Sequence, residues 1–486
     1  MTKSASQGSG RPLISVASLT VIGMDASGAG IVRTPEGLDV LVPGALPGAE
    51  IRVDYRPPMP GGRRGLAQSF EVIKHSPDAA SGRCPLAGDC GGCPMARLRY
   101  PKELELKRKL LVLDPLEEAG LLKGGHAAVV KEVVGLSEAS QRGFRNKAVL
   151  YPGIIGGKPH FGYYRARSQE LVAAEDCPQT PAWMAEAARA LAPLLMDPEL
   201  APWREPTDEG VLRALILREA PGTGERMAVL VVRRLVETFD VMREKILGAL
   251  ASVHLDSLLL NLHEALGSAV LSFAPNATRL LSGKTGIEAD LLGLRFSIGP
   301  ETFLQVNTPQ TPVLYGEALK GLGIGKADRV LDLYAGVGTL TLLAAKRCAK
   351  ALGIERVERS IECARENARL NHLDNAAFMA LPVERALTLD EVKAFRPTLV
   401  IADPAYQGLA GGAAEALGRL MRGSGVRRLA YISCNPKSFA RDAALLTASG
   451  LRLITVTPVD MFPGAMHLEV VGIFDTLGEK AAREMD

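Results

Sequence analysis

Cys434 stands in Tyr431-Ile432-Ser433-Cys434-Asn435-Pro436, where an apolar, strand-like run gives way to a helix start near Lys437. A thiolate at such a place is a nucleophile, and the strand end before a helix is expected to lower its pKa. Further on, His467-Leu468-Glu469 opens another strand-like run, and Glu469 is a carboxylate able to accept a proton. His467 beside it is read as a hydrogen-bonding residue and not as an acid–base catalyst. Asp403-Pro404 closes a third strand-like run. A nucleophile, a base and a further acid thus fall at ends of neighbouring strand-like segments.

A second group of residues has the pattern of a cofactor site. Leu331-Asp332-Leu333-Tyr334-Ala335-Gly336-Val337-Gly338-Thr339 reads as a strand, a glycine turn and a helix start. Gly336 and Gly338 let the backbone approach a ligand closely, and the helix start offers free N–H groups. The third glycine of a dinucleotide fingerprint would fall at position 341, which is Thr341. Glu355 ends the next strand, where a carboxylate can accept both hydroxyls of a ribose. An acidic strand end without the third glycine favours S-adenosylmethionine over a nicotinamide dinucleotide.

The chain has seven cysteines, an odd number that argues against a disulfide framework. Cys84, Cys90 and Cys93 form a close set, and Cys177 follows at a distance within Asp176-Cys177-Pro178. Four thiolates hold either zinc or a four-iron cluster, and spacing alone does not decide between them. The longer first gap and the fourth cysteine argue against the three-cysteine pattern of a radical enzyme. Cys348 and Cys363 are expected within helices as ordinary structural residues.

The elements that must position these groups follow from the hydrophobic pattern. The length of 486 residues calls for two or three domains. Residues 13 to 73 carry five short strand-like runs, Leu19–Ile22, Gly30–Val32, Val40–Val42, Ile51–Val53 and Phe70–Val72, separated by Gly/Pro turns. That spacing predicts a small β-barrel. A charged helix is expected over Lys102 to Leu122, and an α+β domain over 76–300 with strands at Lys147–Leu150, Leu212–Arg218 and Ala228–Val232. From 301 to 486, strands alternate with helices, which means a parallel sheet covered on both faces. The last two strands, Leu451–Thr457 and Leu468–Phe474, have only a short loop between them and must be antiparallel. Such an α/β sheet is the layout of a Rossmann-like class I methyltransferase domain. Its fifth strand would lie beside the fourth and its last beside the fifth, so Asp403, Cys434 and Glu469 would share the edge where open α/β sheets bind ligands.

Charge adds little, because a formal net charge of +3 is too small to identify a nucleic-acid partner. Arginine pairs at Arg63/Arg64, Arg142/Arg145 and Arg165/Arg167 are compatible with a basic strip or with a scattered, solvated surface. No apolar run is long enough to span a bilayer. The start, MTKSASQGSGRP, lacks the apolar segment of a secretion signal, so a cytoplasmic location is expected, with no membrane and no obligate protein partner.

These motifs together resemble the RNA 5-methyluridine (uracil-C5) methyltransferase family. The matching text is FLQVN (Phe303 to Asn307), LDLYAGVGTLTL, GIE, DP, YISCNP and MFPGAMHLEVVGIF. The N-terminal GMDASGAGIVRTPEGLDVLVPGALPGAEIRV resembles the TRAM domain, an OB-like RNA-binding barrel. CPLAGDCGGC with the later DCP is similar to the family's iron–sulfur site, which implies a [4Fe-4S] cluster on Cys84, Cys90, Cys93 and Cys177. The resemblance implies S-adenosylmethionine contacts from Gln305, Tyr334, Gly336, Glu355 and Asp403, a nucleophile at Cys434 and a proton acceptor at Glu469. Members with both a TRAM domain and an iron–sulfur site usually modify large-subunit ribosomal RNA, which makes ribosomal RNA the expected partner. Transfer RNA remains an alternative, as does an RNA-binding assembly factor without activity. Two positions depart from the family. Ala405 and Tyr406 stand where Pro and Arg are usual, and Leu381-Pro382 follows the third strand where a polar or acidic residue is common; Glu384 is not assigned in its place.

Overall fold

The computed structural model describes residues 12–59, 61–124, 127–267, 269–423 and 425–476. The N-terminal polar stretch lies almost wholly outside them. Contacts divide the chain into two compact units. One comprises residues 1–110 with Pro463–Met466, and the other comprises 111–462 with 467–486.

The smaller unit is built on five strands, β1 (Ile14–Met24), β2 (Ala29–Arg33), β3 (Asp39–Pro43), β4 (Glu50–Arg56) and β5 (Arg64–Lys74). They close into a barrel in the order β1-β2-β3-β5-β4, each containing one of the expected runs. Alternate residues Val40, Val42, Ile51, Val53 and Tyr55 point inward and are buried, as period-2 patterning requires. Beyond the barrel, the helix Tyr100–Lys107 carries a fully buried carboxylate. Glu103 accepts from Lys107 Nζ (2.7 Å), from Arg83 Nη1 (2.6 Å) and from the backbone N–H of Gly464 (2.6 Å). Met95 N–H donates back to the Gly464 carbonyl at 2.8 Å. The expected helix over Lys102 to Leu122 continues through a π-turn at Arg108–Leu113 and a last short segment, Asp114–Glu118, and stops there.

The larger unit holds two main sheets. Strands β6 (Val129–Val130), β7 (Lys147–Ile155), β8 (Lys158–Tyr164), β9 (Leu171–Ala173), β10 (Leu212–Glu219), β11 (Arg226–Val232), β12 (Ser257–Leu262) and β13 (Thr278–Gly283) come first. All but β6 form a seven-stranded sheet in the order β13-β12-β11-β10-β7-β8-β9. A hairpin, β14 (Ile287–Leu291) and β15 (Leu294–Ile298), follows. Then come β16 (Arg329–Leu333), β17 (Lys350–Glu355), β18 (Ala376–Ala380), β19 (Leu399–Ala402), β20 (Arg428–Ser433), β21 (Leu451–Val459) and β22 (Glu469–Thr476). Their sheet runs β18-β17-β16-β19-β20-β22-β21-β6. Strands β16 to β20 are mutually parallel, and β22 is antiparallel to both β20 and β21. This is the S-adenosylmethionine-dependent methyltransferase fold expected from the α/β alternation. The near-continuous apolar strands, such as Leu399-Val400-Ile401-Ala402, are buried on both faces by helices. One core runs from Ile216 and Val229 through the hairpin's Phe296 to Val330, Leu399 and Ile432, and a second packs Trp183, Leu191, Leu217 and Leu230 together. Cys363 lies in the helix Glu358–Leu370 as expected. Cys348 does not lie in a helix: the preceding helix ends at Ala345, and the Cys348 thiol donates to the Lys350 carbonyl in the turn.

Candidate active site

Three strand ends build the site. The register Ser433↔Val470 between β20 and β22 places the residue after Ser433, Cys434, across from Glu469 at the sheet's edge. Next to them, β19 pairs with β16, and the Asp403 N–H points at the Leu333 carbonyl at 3.4 Å. The structure therefore brings Cys434, Glu469 and Asp403 together at the carboxyl ends of the parallel strands.

Their electrostatics are set by burial. Glu469 is 3% exposed, and its Oε2 is buried without a hydrogen-bond partner among the described residues. Burial first, and then the Asp403 carboxylate, push its carboxyl well above the usual range. Burial likewise raises Asp403 to about 7. Cys434 is half-buried, and its thiol is pushed up to about 12 by burial, then by Glu469 and Asp403. The lowered thiol pKa expected from a helix start is thus overturned. Two carboxylates and desolvation outweigh the N–H groups of the helix Pro436–Ala448.

The glycine turn after β16 forms the second half of the site. Tyr334 (φ +66°), Gly336 (φ +54°) and Gly338 (φ +85°) are all left-handed, a conformation that strains the tyrosine. A Cβ at Gly338 would press on the Phe378 ring at 3.0 Å, whereas one at Gly336 would meet nothing within 4 Å. Open space in front of Gly336 is what a bound ligand needs. Glu355 accepts from Gly336 N–H at 3.2 Å with Oε2 and from Val357 N–H at 2.9 Å with Oε1. The Tyr334 hydroxyl is buried without a partner of hydrogen-bonding geometry, and burial raises it to about 12. Gln305 is buried in the loop before the helix Thr311–Leu322, and its carbonyl accepts from Asn146 Nδ2 at 3.0 Å. Asn307 of the same motif donates to the Met461 carbonyl at 2.9 Å, which ties this loop to the segment leading into β22. His467 is exposed and meets the Phe462 ring edge-on, with centroids 6.1 Å apart.

Two residues escaped the sequence reading. Asp332, fully buried within β16, accepts from the Thr341 hydroxyl at 2.5 Å, yet its Oδ1 has no partner. Burial, partly offset by Thr341, then Asp403 and Glu355, bring it to about 7. An acid inside the apolar run Val330-Leu331-Asp332-Leu333 was the available signal. Tyr315, buried on the helix Thr311–Leu322, is raised by burial and then by Asp403, Glu469 and Asp332. Only the fold reveals it, since it sits on an apolar helix face like any core residue.

Among the described residues, no group of three or more His, Cys, Asp or Glu side chains is placed to hold a metal ion. The expected [4Fe-4S] site on Cys84, Cys90, Cys93 and Cys177 is therefore not seen. Cys90 is a thiol whose pKa is raised chiefly by burial, and it accepts the Gly92 N–H at 3.5 Å.

Comparison with known proteins agrees with the geometry. A family described as a methyltransferase domain matches residues 324–413, the glycine turn through Asp403. An uncharacterized RNA methyltransferase of Gloeobacter violaceus is 32% identical over 459 residues, covering 94% of this chain and 95% of the relative. The chain belongs to the RNA methyltransferase family. Another member, from Caldanaerobacter subterraneus, is 29% identical over 464 residues, 94% of this chain and 97% of its own. Among solved structures, the Pyrococcus abyssi tRNA (uracil-54, C5)-methyltransferase in complex with S-adenosyl-L-homocysteine superposes with a TM-score of 0.72 at 25% identity. That likeness covers 94% of this chain and 99% of the other. The family resemblance read from the motifs thus holds over nearly the whole chain. No helix among the described residues is long and apolar enough to cross a membrane.

Proposed function

We propose that this family member methylates carbon 5 of a uridine in RNA, with Cys434 as nucleophile and Glu469 as proton acceptor. The observation that carries the reading is the β20–β22 register, Ser433↔Val470, which sets a thiol opposite a buried carboxylate at the ligand-binding edge. S-adenosylmethionine fits the residues present. The unfilled space at Gly336 accommodates it, and Gln305, Tyr334, Gly336, Glu355 and Asp403 would hold it. When bound, it supplies an electrophilic methyl group and a positive sulfonium charge.

Carbon 5 of uracil is too weak a nucleophile to take a methyl group unaided. The Cys434 thiolate adds to carbon 6, forming a C–S bond and moving the ring's electron pair onto carbon 5 and the carbonyl oxygen. Carbon 5 then takes the methyl group. Glu469 removes the remaining carbon-5 proton, the C5=C6 bond re-forms, and the C–S electron pair returns to Cys434. A buried, proton-hungry carboxylate suits that last step. The carboxylates that raise the thiol's pKa act against the first step, and a cation at the site would offset them.

The barrel, with its resemblance to a TRAM domain, is read as an RNA-gripping element, and a base paired within RNA must be extruded to reach Cys434. Ribosomal RNA is the first substrate by resemblance. Transfer RNA is the second, supported by the likeness to a tRNA enzyme. The test is covalent trapping with S-adenosylmethionine on 5-fluorouridine-containing ribosomal or transfer RNA. Fluorine cannot leave as a proton does, so wild type should stay attached after methyl transfer, and Cys434→Ala should not. RNA binding without any adduct or methyl transfer on either class would replace the enzyme by a binding factor.

A further inference from the structure

Next to Cys434 the chain displays an aromatic ring on an unusually well-anchored loop. Tyr406 is 58% exposed, on the segment that leaves β19 after Asp403. Its carbonyl accepts from the Asn435 side-chain amide (3.0 Å) and from the Ser438 hydroxyl (3.3 Å). The Gln407 carbonyl accepts from Arg441 Nη2 at 2.8 Å, and Gly408 N–H donates to the Ala405 carbonyl at 2.8 Å. Leu409 N–H donates to the buried Asp442 carboxylate at 2.7 Å, which also accepts from Tyr431 at 2.7 Å and Arg441 at 2.8 Å. Ser438, Arg441 and Asp442 lie on the helix that begins two residues after the nucleophile, and Asn435 is its N-cap.

The backbone under Tyr406 is therefore fixed relative to Cys434, while its ring remains in solvent. Pinning a loop lowers the entropy lost when its side chain takes a partner. Extruding a uridine leaves its neighbouring base without a stacking partner, and an aromatic side chain can replace it. Cys434 is half-buried and Tyr406 stands out at the rim, so the ring suits the base beside the target and not the target itself. The turn here reads Ala405-Tyr406, so its exposed side chain is a flat, uncharged aromatic face.

We infer that Tyr406 is a stacking platform for the nucleobase adjacent to the target uridine, and so a determinant of RNA binding and sequence context. The inference rests on the uridine reading above. Its test uses the full chain, S-adenosylmethionine and 5-fluorouridine-containing ribosomal or transfer RNA, scoring the RNA concentration at half-maximal adduct formation. Tyr406→Ala and Tyr406→Leu should raise that concentration by about tenfold or more, with Tyr406→Phe restoring it, because stacking needs the ring and neither the hydroxyl nor bulk. Cofactor binding and thermal stability should be unchanged in all three. Half-saturation of Tyr406→Ala within about twofold of wild type, or full restoration by Leu, overturns the stacking role while leaving the uridine chemistry intact. No adduct in wild type on either RNA overturns the chemistry itself.

Discussion

Two buried carboxylate sites in this protein are treated in opposite ways. In the smaller unit, fully buried Glu103 is met by Lys107, Arg83 and the Gly464 N–H, all within 2.7 Å. In the larger unit, burial raises the proton affinity of Asp332, Asp403 and Glu469, Asp403 adds to it at the other two, and among the described residues neither Asp332 Oδ1 nor Glu469 Oε2 has a donor. The first arrangement compensates a buried charge and ties a loop to a helix. The second keeps carboxyls poised near neutrality, which serves proton transfer at the expense of stability. Satisfied burial marks architecture here, and unsatisfied burial marks the site.

Substitution can break that contrast. The largest effect is expected at Glu469→Gln. Turnover should fall by roughly 100-fold or more, while the methylated adduct accumulates because its carbon-5 proton is not removed. Gel analysis of RNA-linked protein checks this, and prompt release of methylated RNA would remove Glu469 from the role. In wild type the raised pKa of Cys434, about 12, predicts rates that climb with pH between about 6 and 9, and the raised proton affinity of Glu469 acts in the same direction. Glu469 is the active base only once deprotonated, and Cys434 attacks only as the thiolate. A rate that is flat or falling over that range would contradict both assignments.

At the compensated site the loss should appear as stability. Glu103→Ala leaves Lys107 and Arg83 without their shared carboxylate and should cost about 3–5 kcal/mol, read from the denaturant midpoint. The smallest effect sharpens the comparison by reversing its sign. Asp332 has a folded pKa near 7, above the unfolded carboxylate range, so its folded form holds the proton more tightly. Its stabilising contribution is complete below about pH 4 and is lost as pH rises through about 7. Asp332→Asn should therefore be more stable than wild type at pH 8, by about 4 kcal/mol, and close to it at about pH 4. Unfolding curves at the two pH values decide. Equal stability at both would mean that Asp332 carries no such strain.

Much of this was legible along the chain because it follows from local rules. The five barrel runs, the strand–glycine–helix turn at Gly336 and the strand ends at Asp403, Cys434 and Glu469 are period and turn signals. The apolar pattern over Lys102 to Leu122 outruns the helix, which stops at Glu118, and Cys348 lies past the helix that ends at Ala345. Ends of elements are governed by packing as much as by propensity. Tyr315 left no trace in the pattern because a core tyrosine and a site tyrosine have the same spacing.

By itself, then, the sequence determined which residue types stand at which strand ends, the alternation that makes a methyltransferase sheet, and the antiparallel turn that returns Glu469 to Cys434. Those are matters of period, chain direction and loop length. Only the tertiary structure decided the electrostatics. A helix start argued for a lowered Cys434 pKa, but burial, and then carboxylates from two other strands, raise it. The four cysteines read as one ligand set give no group of three or more metal-ligating side chains among the described residues. Desolvation and the sum of nearby charges depend on which distant segments meet, and no local pattern in the chain encodes that.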